Sequence, residues 1–191
     1  MTKCAFKLGA IFAIVGSAVM IATPAIAADE IFLNLLDVRG ESTTDGHQNE
    51  IVVTSYSQSV SNSSTFAGGG GSGVGKATCG DIVITKPIDR SSPALILKVL
   101  TGAVIPSGTL SFRRIGNDGA SRGPDYYTVQ LTGILITAVE QTDTVGSNSG
   151  VQELIKLKAR TFLLSYRPQS PTGQFGAPQT FGFDCSTNQR L

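Results

Sequence analysis

Short apolar segments that alternate with polar side chains recur along most of this 191-residue chain. Turn signals rich in glycine, serine and asparagine separate them, and the chain has 22 glycines and no tryptophan. Alternation with a period of two turns one face of a strand to the core and the other to solvent. The pattern therefore predicts an all-β fold, a sandwich or barrel of many short strands.

The predicted strands share β-branched, aromatic or aliphatic residues at alternating or consecutive positions. One of them is long and is interrupted at Thr132-Gly133, where the glycine indicates a bulge or a bend. No internal repeat divides the chain. The segments are 31–38, 51–60, 76–85, 110–115, 126–140, 151–167 and 180–185.

A single short helix is predicted on the flank of this β-structure. Ser91 or Ser92 can cap it, and Pro93 suits its first position, where no backbone N–H is needed. Gly102 is a suitable stop. Leu95 and Val99 lie at helical spacing, which favours a place in the core over a ligand surface.

Residues 1–27 have the pattern of a secretory signal peptide. Lys3 and Lys7 provide a basic start, Leu8–Ile21 is uncharged and apolar, and an Ala-Ile-Ala sequence ends at Ala27. We expect cleavage between Ala27 and Ala28. The alternative is a retained anchor, but the apolar run is short for a membrane span, which needs about 20 residues. No stable membrane insertion is expected after cleavage.

Cleavage leaves residues 28–191, a length that fits one domain with one core. Removing Lys3 and Lys7 reduces the 15 basic residues to 13, against 14 acidic residues. A nucleic-acid or membrane-surface binder normally has a basic excess, so both classes are disfavoured. The signal peptide predicts a secreted or periplasmic protein.

Two cysteines remain after cleavage, Cys79 and Cys185. An even number in an exported chain favours a disulfide. The bridge would close a loop of about a hundred residues and contribute roughly 4–5 kcal/mol in the chain-entropy model. The alternative is two separate buried thiols.

The segment from Ser61 to Gly75 has almost no side chain that could pack, so we expect a long, exposed and mobile loop. Its end, Gly70 to Lys76, matches the GxxxxGK pattern of a phosphate-binding loop. That loop also requires Ser or Thr next and a helix behind it. Here Ala77 follows and opens a predicted strand, which disfavours a nucleotide site.

No residue pattern indicates catalysis, a cofactor or a metal. His47 is the only histidine, and no GxSxG motif accompanies it. Asp81, Lys86 and Asp89 could form a catalytic trio, but ion pairs at turns and strand ends are the favoured interpretation.

The segment that follows the glycines resembles the haemolysin-coregulated protein (Hcp) family, the tube subunits of bacterial type VI secretion. The family has a Gly-rich loop, a Gly-Lys pair, a strand that starts with Asp and ends in Thr-Lys, then Asp and a Ser/Thr-Pro helix start. Glu30–Leu33 and Thr180–Asp184 resemble the family's first and last strands. The positions in the central segment are Gly75-Lys76, Asp81-Ile82, Thr85-Lys86, Asp89 and Ser92-Pro93.

The resemblance implies an Hcp-like β-barrel with one flanking helix and a non-enzymatic, structural role. It implies a homo-hexameric ring, stacking of rings into a hollow tube, and contacts with type VI effectors and with tip or sheath proteins. The long loop would then support contacts between stacked rings. The residues expected in this assembly loop are Ser61, Ser64, Phe66, Gly68, Gly71 and Gly75.

The signal peptide departs from the family pattern, because family subunits are normally loaded from the cytoplasm without a leader. Two interpretations follow. The chain is an exported Hcp-like binding module or adhesin-like domain that builds no tube, or Met20 is the true start and the chain is cytoplasmic before secretion.

Overall fold

The computed structural model describes residues 29–63, 75–115, 122–143, 150–170 and 174–191. The described residues form nine strands and one helix, and the signal-peptide prediction lies outside them. The elements are β1 (Asp29–Leu35), β2 (Ile51–Val53), β3 (Ser55–Asn62), β4 (Ala77–Pro87), α1 (Ser92–Thr101), β5 (Ile105–Ile115), β6 (Arg122–Thr142), β7 (Gln152–Tyr166), β8 (Gln179–Asp184) and β9 (Gln189–Arg190).

All nine strands belong to one antiparallel sheet with the order β2-β1-β5-β6-β7-β4-β3, and β8 and β9 extend it from β7. The two ends of this order, β2 and β3, are consecutive in the chain and are separated only by Thr54. Thr54 donates its backbone N–H to the carbonyl of Thr85 in β4 at 2.8 Å. One continuous segment thus contacts β1 at its start and β4 along the rest, which curls the sheet into a barrel-like shape.

The concave face of the sheet encloses the hydrophobic core. In β7, inward residues alternate with more exposed ones, as the period of two in the sequence predicts. Leu95 from α1 is fully buried and joins this core. Its fully buried members include Ile51, Ile84, Leu95, Ile105, Leu110, Val129, Ile134, Ile155 and Leu157.

The predicted start and end of the helix α1 are confirmed. Pro93 lies in its first turn, and Gly102 ends it with a φ of 64°, a left-handed conformation that glycine adopts without strain. Ser91 is the N-cap residue, but its hydroxyl bonds to the Asp89 carboxylate rather than to the helix amides. Val99 is partly buried against the core.

Several predicted strand limits were wrong, including those of β1 and β6, the segment 51–60 is divided at Thr54, and one short strand was missed. Ser61 belongs to β3 and pairs with Thr78, so the ladder continues into the segment that its serines and glycines marked as loop. β5 begins at Ile105, five residues before the predicted start at Leu110. The strand can include Gly108 because the side chains of Leu35 and Ile134 pack against it, and a Cβ at this position would lie within 3 Å of both. The two-residue β9 was not predicted.

The bend predicted at Thr132-Gly133 is local. Gly133 has a φ of 59°, and a Cβ there would lie 3.0 Å from that of Arg160. The strand β6 nevertheless continues through it, and the register irregularity with β7 lies further on, between Ile136 and Ala138. Glycine therefore permits close contact with β7 rather than ending the strand.

Candidate assembly surface

The strand β3 presents an open edge. It pairs with β4 along one side, and in the described part of the chain no strand pairs with its other side. Its eight residues, SYSQSVSN, include no charge and no proline, and Val60 is 65% exposed. Charges and prolines are what soluble proteins use to keep such edges from pairing with other chains. This edge lacks that protection.

The outer end of the β3–β4 hairpin diverges from the rest of the sheet. β4 pairs with β7 only from Ile82 onward, while β8 pairs with the same side of β7 from Thr161. A bulge between Gln58 and Val60 bends the hairpin at this point. Gly80 lies opposite, where a Cβ would collide with Ser59. We call Val60–Asn62 together with Ala77–Gly80 the outer hairpin segment.

An apolar groove of 290 Å³ separates the outer hairpin segment from β7 and β8. Phe162, Phe181 and Phe183 form its wall on the β7–β8 side, with ring centroids 6.1–6.4 Å apart. Val60 and Ala77 belong to the opposite wall. Ser61 and Asn62 also line the groove, so it shares the last residues of β3 with the open edge.

The outer hairpin segment is joined to the turn after β8 by two connections. Cys79 and Cys185 are bonded through their sulfurs, with their Cα atoms 6.0 Å apart. The side-chain amide of Asn188 donates to the Ala77 carbonyl at 2.7 Å and accepts from the Ala77 N–H at 3.4 Å. We call Cys79, Cys185, Ala77 and Asn188 the C-terminal clamp.

The predicted assembly-loop residues fall into two groups. Ser61 lies in β3, and Gly75 lies two residues before the start of β4. Ser64, Phe66, Gly68 and Gly71 lie outside the described residues, as do Ala27 and Ala28 at the expected cleavage point. The described ends of the loop therefore emerge from the outer hairpin segment.

Comparison with known proteins identifies the family. Residues 32–168 match the family model described as "Type VI secretion system effector, Hcp". The chain is also 30% identical over 162 residues to Protein hcp1 of Pseudomonas aeruginosa, which covers 84% of this chain and 98% of that protein. The chain belongs to the Hcp family.

Solved structures of the family have the same fold. Hcp1 from Salmonella typhimurium aligns with a TM-score of 0.70 and 25% identity, covering 87% of this chain and all of that one. A structure described as that of a type six secretion system protein aligns with a TM-score of 0.79 and 24% identity, over 86% of this chain and all of its own. The predicted Hcp-like, mainly β fold and the assignment to type VI secretion are confirmed.

At the other end of this Hcp-family barrel, Lys86 and Glu153 form a fully buried ion pair. Lys86 Nζ lies 2.6 Å from Glu153 Oε2 and 2.8 Å from Asp89 Oδ1. The hydroxyl of Ser92 donates to the same Glu153 oxygen at 2.6 Å, and the Gln141 amide donates to Oε1 at 2.7 Å. The network ties β4, β6, β7 and the start of α1 together.

The network holds Glu153 in its charged form. Burial alone would raise the pKa of this carboxyl group, since it disfavours charge. Hydrogen bonds from Gln141, Lys86 and Ser92, with the charge of Lys86, outweigh that effect and lower the pKa below its ordinary value of 4.5.

The catalytic trio considered from the sequence does not assemble. Lys86 contacts Asp89, but Asp81 lies elsewhere, with its carboxylate 3.7 Å from the ammonium group of Lys158 on the outer face of the sheet. Lys86 is inaccessible to solvent. The favoured interpretation, ion pairs at a strand end and a turn, agrees with these contacts.

His47 has a local structural role, as expected for a lone histidine. Its ring stacks on Phe32 with centroids 4.2 Å apart, and its nitrogens lie 2.8 Å from Glu50 and 3.1 Å from Asp125. Asp125 also lies 3.4 Å from Arg113. These contacts fasten the first long loop to β5 and β6.

The described residues contain no group of three or more histidine, cysteine, aspartate or glutamate residues placed to hold a metal ion. The one helix among the described residues, α1, is not long and apolar enough to span a membrane. A strand, β4, begins at Ala77 directly after Lys76, where a phosphate-binding loop would need a helix.

Two important residues escaped sequence reasoning. Glu153 alternates with the same period as Ile155 and Leu157, so its side chain points to the core. A buried carboxylate requires a buried partner, and this is the signal that could have indicated the ion pair. Asn188 has a φ of 60°, but nothing in its neighbourhood in the sequence indicates contact with Ala77, 111 residues away.

Proposed function

We propose that this Hcp-family chain is a structural subunit of the type VI secretion tube. Six copies form a ring, rings stack into a hollow tube, and the tube meets the tip and sheath proteins of the apparatus. Small effectors occupy the lumen. The role is non-enzymatic, since the polar clusters around Lys86 and His47 are occupied by internal bonds.

Apart from family membership, the open β3 edge is the observation that supports assembly of several copies. An uncharged edge of eight residues beside an apolar groove is costly to leave exposed in a monomer, and pairing with a second copy covers it. A ring requires a head-to-tail contact, in which this edge meets a different surface of the next copy.

The test compares purified protein with a variant of the edge. Ser57→Lys introduces a charge in the middle of β3, and Thr43→Lys introduces the same charge in an exposed loop. Light scattering and negative-stain electron microscopy should show rings for the unchanged protein and for Thr43→Lys, but not for Ser57→Lys. Unchanged protein that remains monomeric at all concentrations and in both redox states would overturn the proposal.

In a second candidate function the signal peptide is used and cleavage follows Ala27, which directs the chain to the periplasm or outside the cell instead of to the site of tube assembly. The pairing of Cys79 with Cys185 favours an oxidising compartment. The same observation favours the second candidate, an exported Hcp-like binding module that builds no tube. N-terminal sequencing of the native protein distinguishes a start at Ala28 from a start at Met20.

A further inference from the structure

The C-terminal clamp supplies the covalent attachment of the outer hairpin segment to the turn after β8. Its two strands pair with each other, and β4 reaches β7 only from Ile82. Contacts that cross to the β8–β9 side include the Cys79–Cys185 bridge, the two Asn188 bonds and the packing across the apolar groove. The clamp therefore controls how the hairpin is oriented relative to β7 and β8.

We propose that the C-terminal clamp is a redox-sensitive device that makes association between copies of this chain depend on the Cys79–Cys185 disulfide. This inference rests on the proposed function, because the surface it controls is the β3 edge and the groove beside it. With the bridge closed, Val60 and the phenylalanines of β7 and β8 face each other across the groove. With the bridge open, the segment keeps only noncovalent contacts to this side, including the Asn188 bonds and the packing across the groove.

The chemistry requires only a thiol–disulfide couple. A dithiol reductant attacks the bridge, the Cys79–Cys185 bond breaks, and two protein thiols form while the reductant becomes a disulfide. Oxidation by a small-molecule disulfide reverses both changes and releases two equivalents of its thiol.

The surroundings of the bridge suit this exchange. Both cysteines are only partly buried, so a reductant can approach them. Cys185 also lines a second cleft, of 510 Å³, together with Lys158 and Arg160. Cationic side chains favour the thiolate, which is the nucleophile that re-forms the bond.

Hydrogen exchange of the oxidised and reduced protein tests the clamp directly. Reduction should accelerate exchange about tenfold in peptides covering 57–63, 75–81 and 184–191, since local opening there no longer has to break a covalent link. Peptides from β5 and the inner half of β7 should remain unchanged. Equal exchange of the two forms in the hairpin peptides would overturn the proposal.

The second measurement concerns association. Sedimentation and electron microscopy should show a fall of about tenfold in the fraction of protein assembled into rings after reduction, with recovery on reoxidation. Rings in equal amounts in both states would overturn the redox dependence and leave the tube function intact. If neither form assembles into rings, the tube function fails, and the redox dependence of association fails with it. The exchange data then decide only whether the bridge restrains the hairpin.

The double variant Cys79→Ser/Cys185→Ser provides the control for the reductant. It should behave like the reduced protein under all conditions and should not respond to the dithiol. A response of this variant would assign the effect to another part of the chain and overturn the proposal.

Discussion

The two ends of the sheet are held by different kinds of interaction. At the α1 end, Lys86, Glu153 and Ser92 are fully or almost fully buried and satisfy one another through short hydrogen bonds. At the outer hairpin segment, one strand edge is open and a few long-range connections hold the turn after β8. The first end is complete within one chain, whereas the second presents a surface that another copy can complete.

The largest expected effect comes from the buried end. Glu153→Ala leaves the Lys86 charge buried without its main partner, which should cost about 3–5 kcal/mol of unfolding free energy. Urea denaturation measures it. Glu140→Ala is the control, because Glu140 pairs with Lys156 on the exposed face and should change the stability little. Equal losses of unfolding free energy in both variants would contradict the claim that the buried pair contributes more to stability than the exposed pair.

The bridge should give the next largest effect. Cys79→Ser/Cys185→Ser should lower the unfolding free energy by about 2–4 kcal/mol under oxidising conditions, mainly because the unfolded chain is no longer cross-linked. Adding reductant should bring the unchanged protein to the same value. Two free thiols in non-reducing mass spectrometry of the native protein would contradict the pairing.

Acid should weaken the buried end selectively. The pKa of Glu153 is lower in the folded chain than its ordinary value of 4.5, so its contribution is complete above that pH. The contribution is lost as the pH falls through the lower, folded-state pKa. Denaturation from pH 7 to pH 3 should therefore give a steeper decline for the unchanged protein than for Glu153→Gln. Parallel curves would indicate that other groups dominate acid unfolding.

The smallest effect concerns the amide contacts of the clamp. Asn188→Gly retains a residue suited to a φ of 60° but removes both bonds to Ala77, for a loss of about 1 kcal/mol. Asn49→Gly is the matched control, because Asn49 has a φ of 62° and an exposed side chain. A gain in stability for Asn188→Gly would show that relief of backbone strain outweighs the lost bonds.

Sequence reasoning was most successful where the responsible energies are local. Pro93 and Gly102 define the ends of α1 through backbone preferences that need no tertiary contact. The alternation in β7 likewise depends only on which side chains avoid water. The strand predictions failed at Ser61 and Gly108, which have poor intrinsic strand propensity. Pairing with β4 overrides that propensity at Ser61, and packing against Leu35 overrides it at Gly108.

The sequence by itself determined the all-β character, the single helix, the family and the candidate cysteine pair, since composition, period and ordered motifs carry that information. Only the tertiary structure decided that Glu153 is the partner of Lys86, that Asn188 contacts Ala77, and that one edge of β3 is open. The physical reason is distance along the chain. Residues 67 and 111 positions apart meet only because the order of strands in the sheet brings them together.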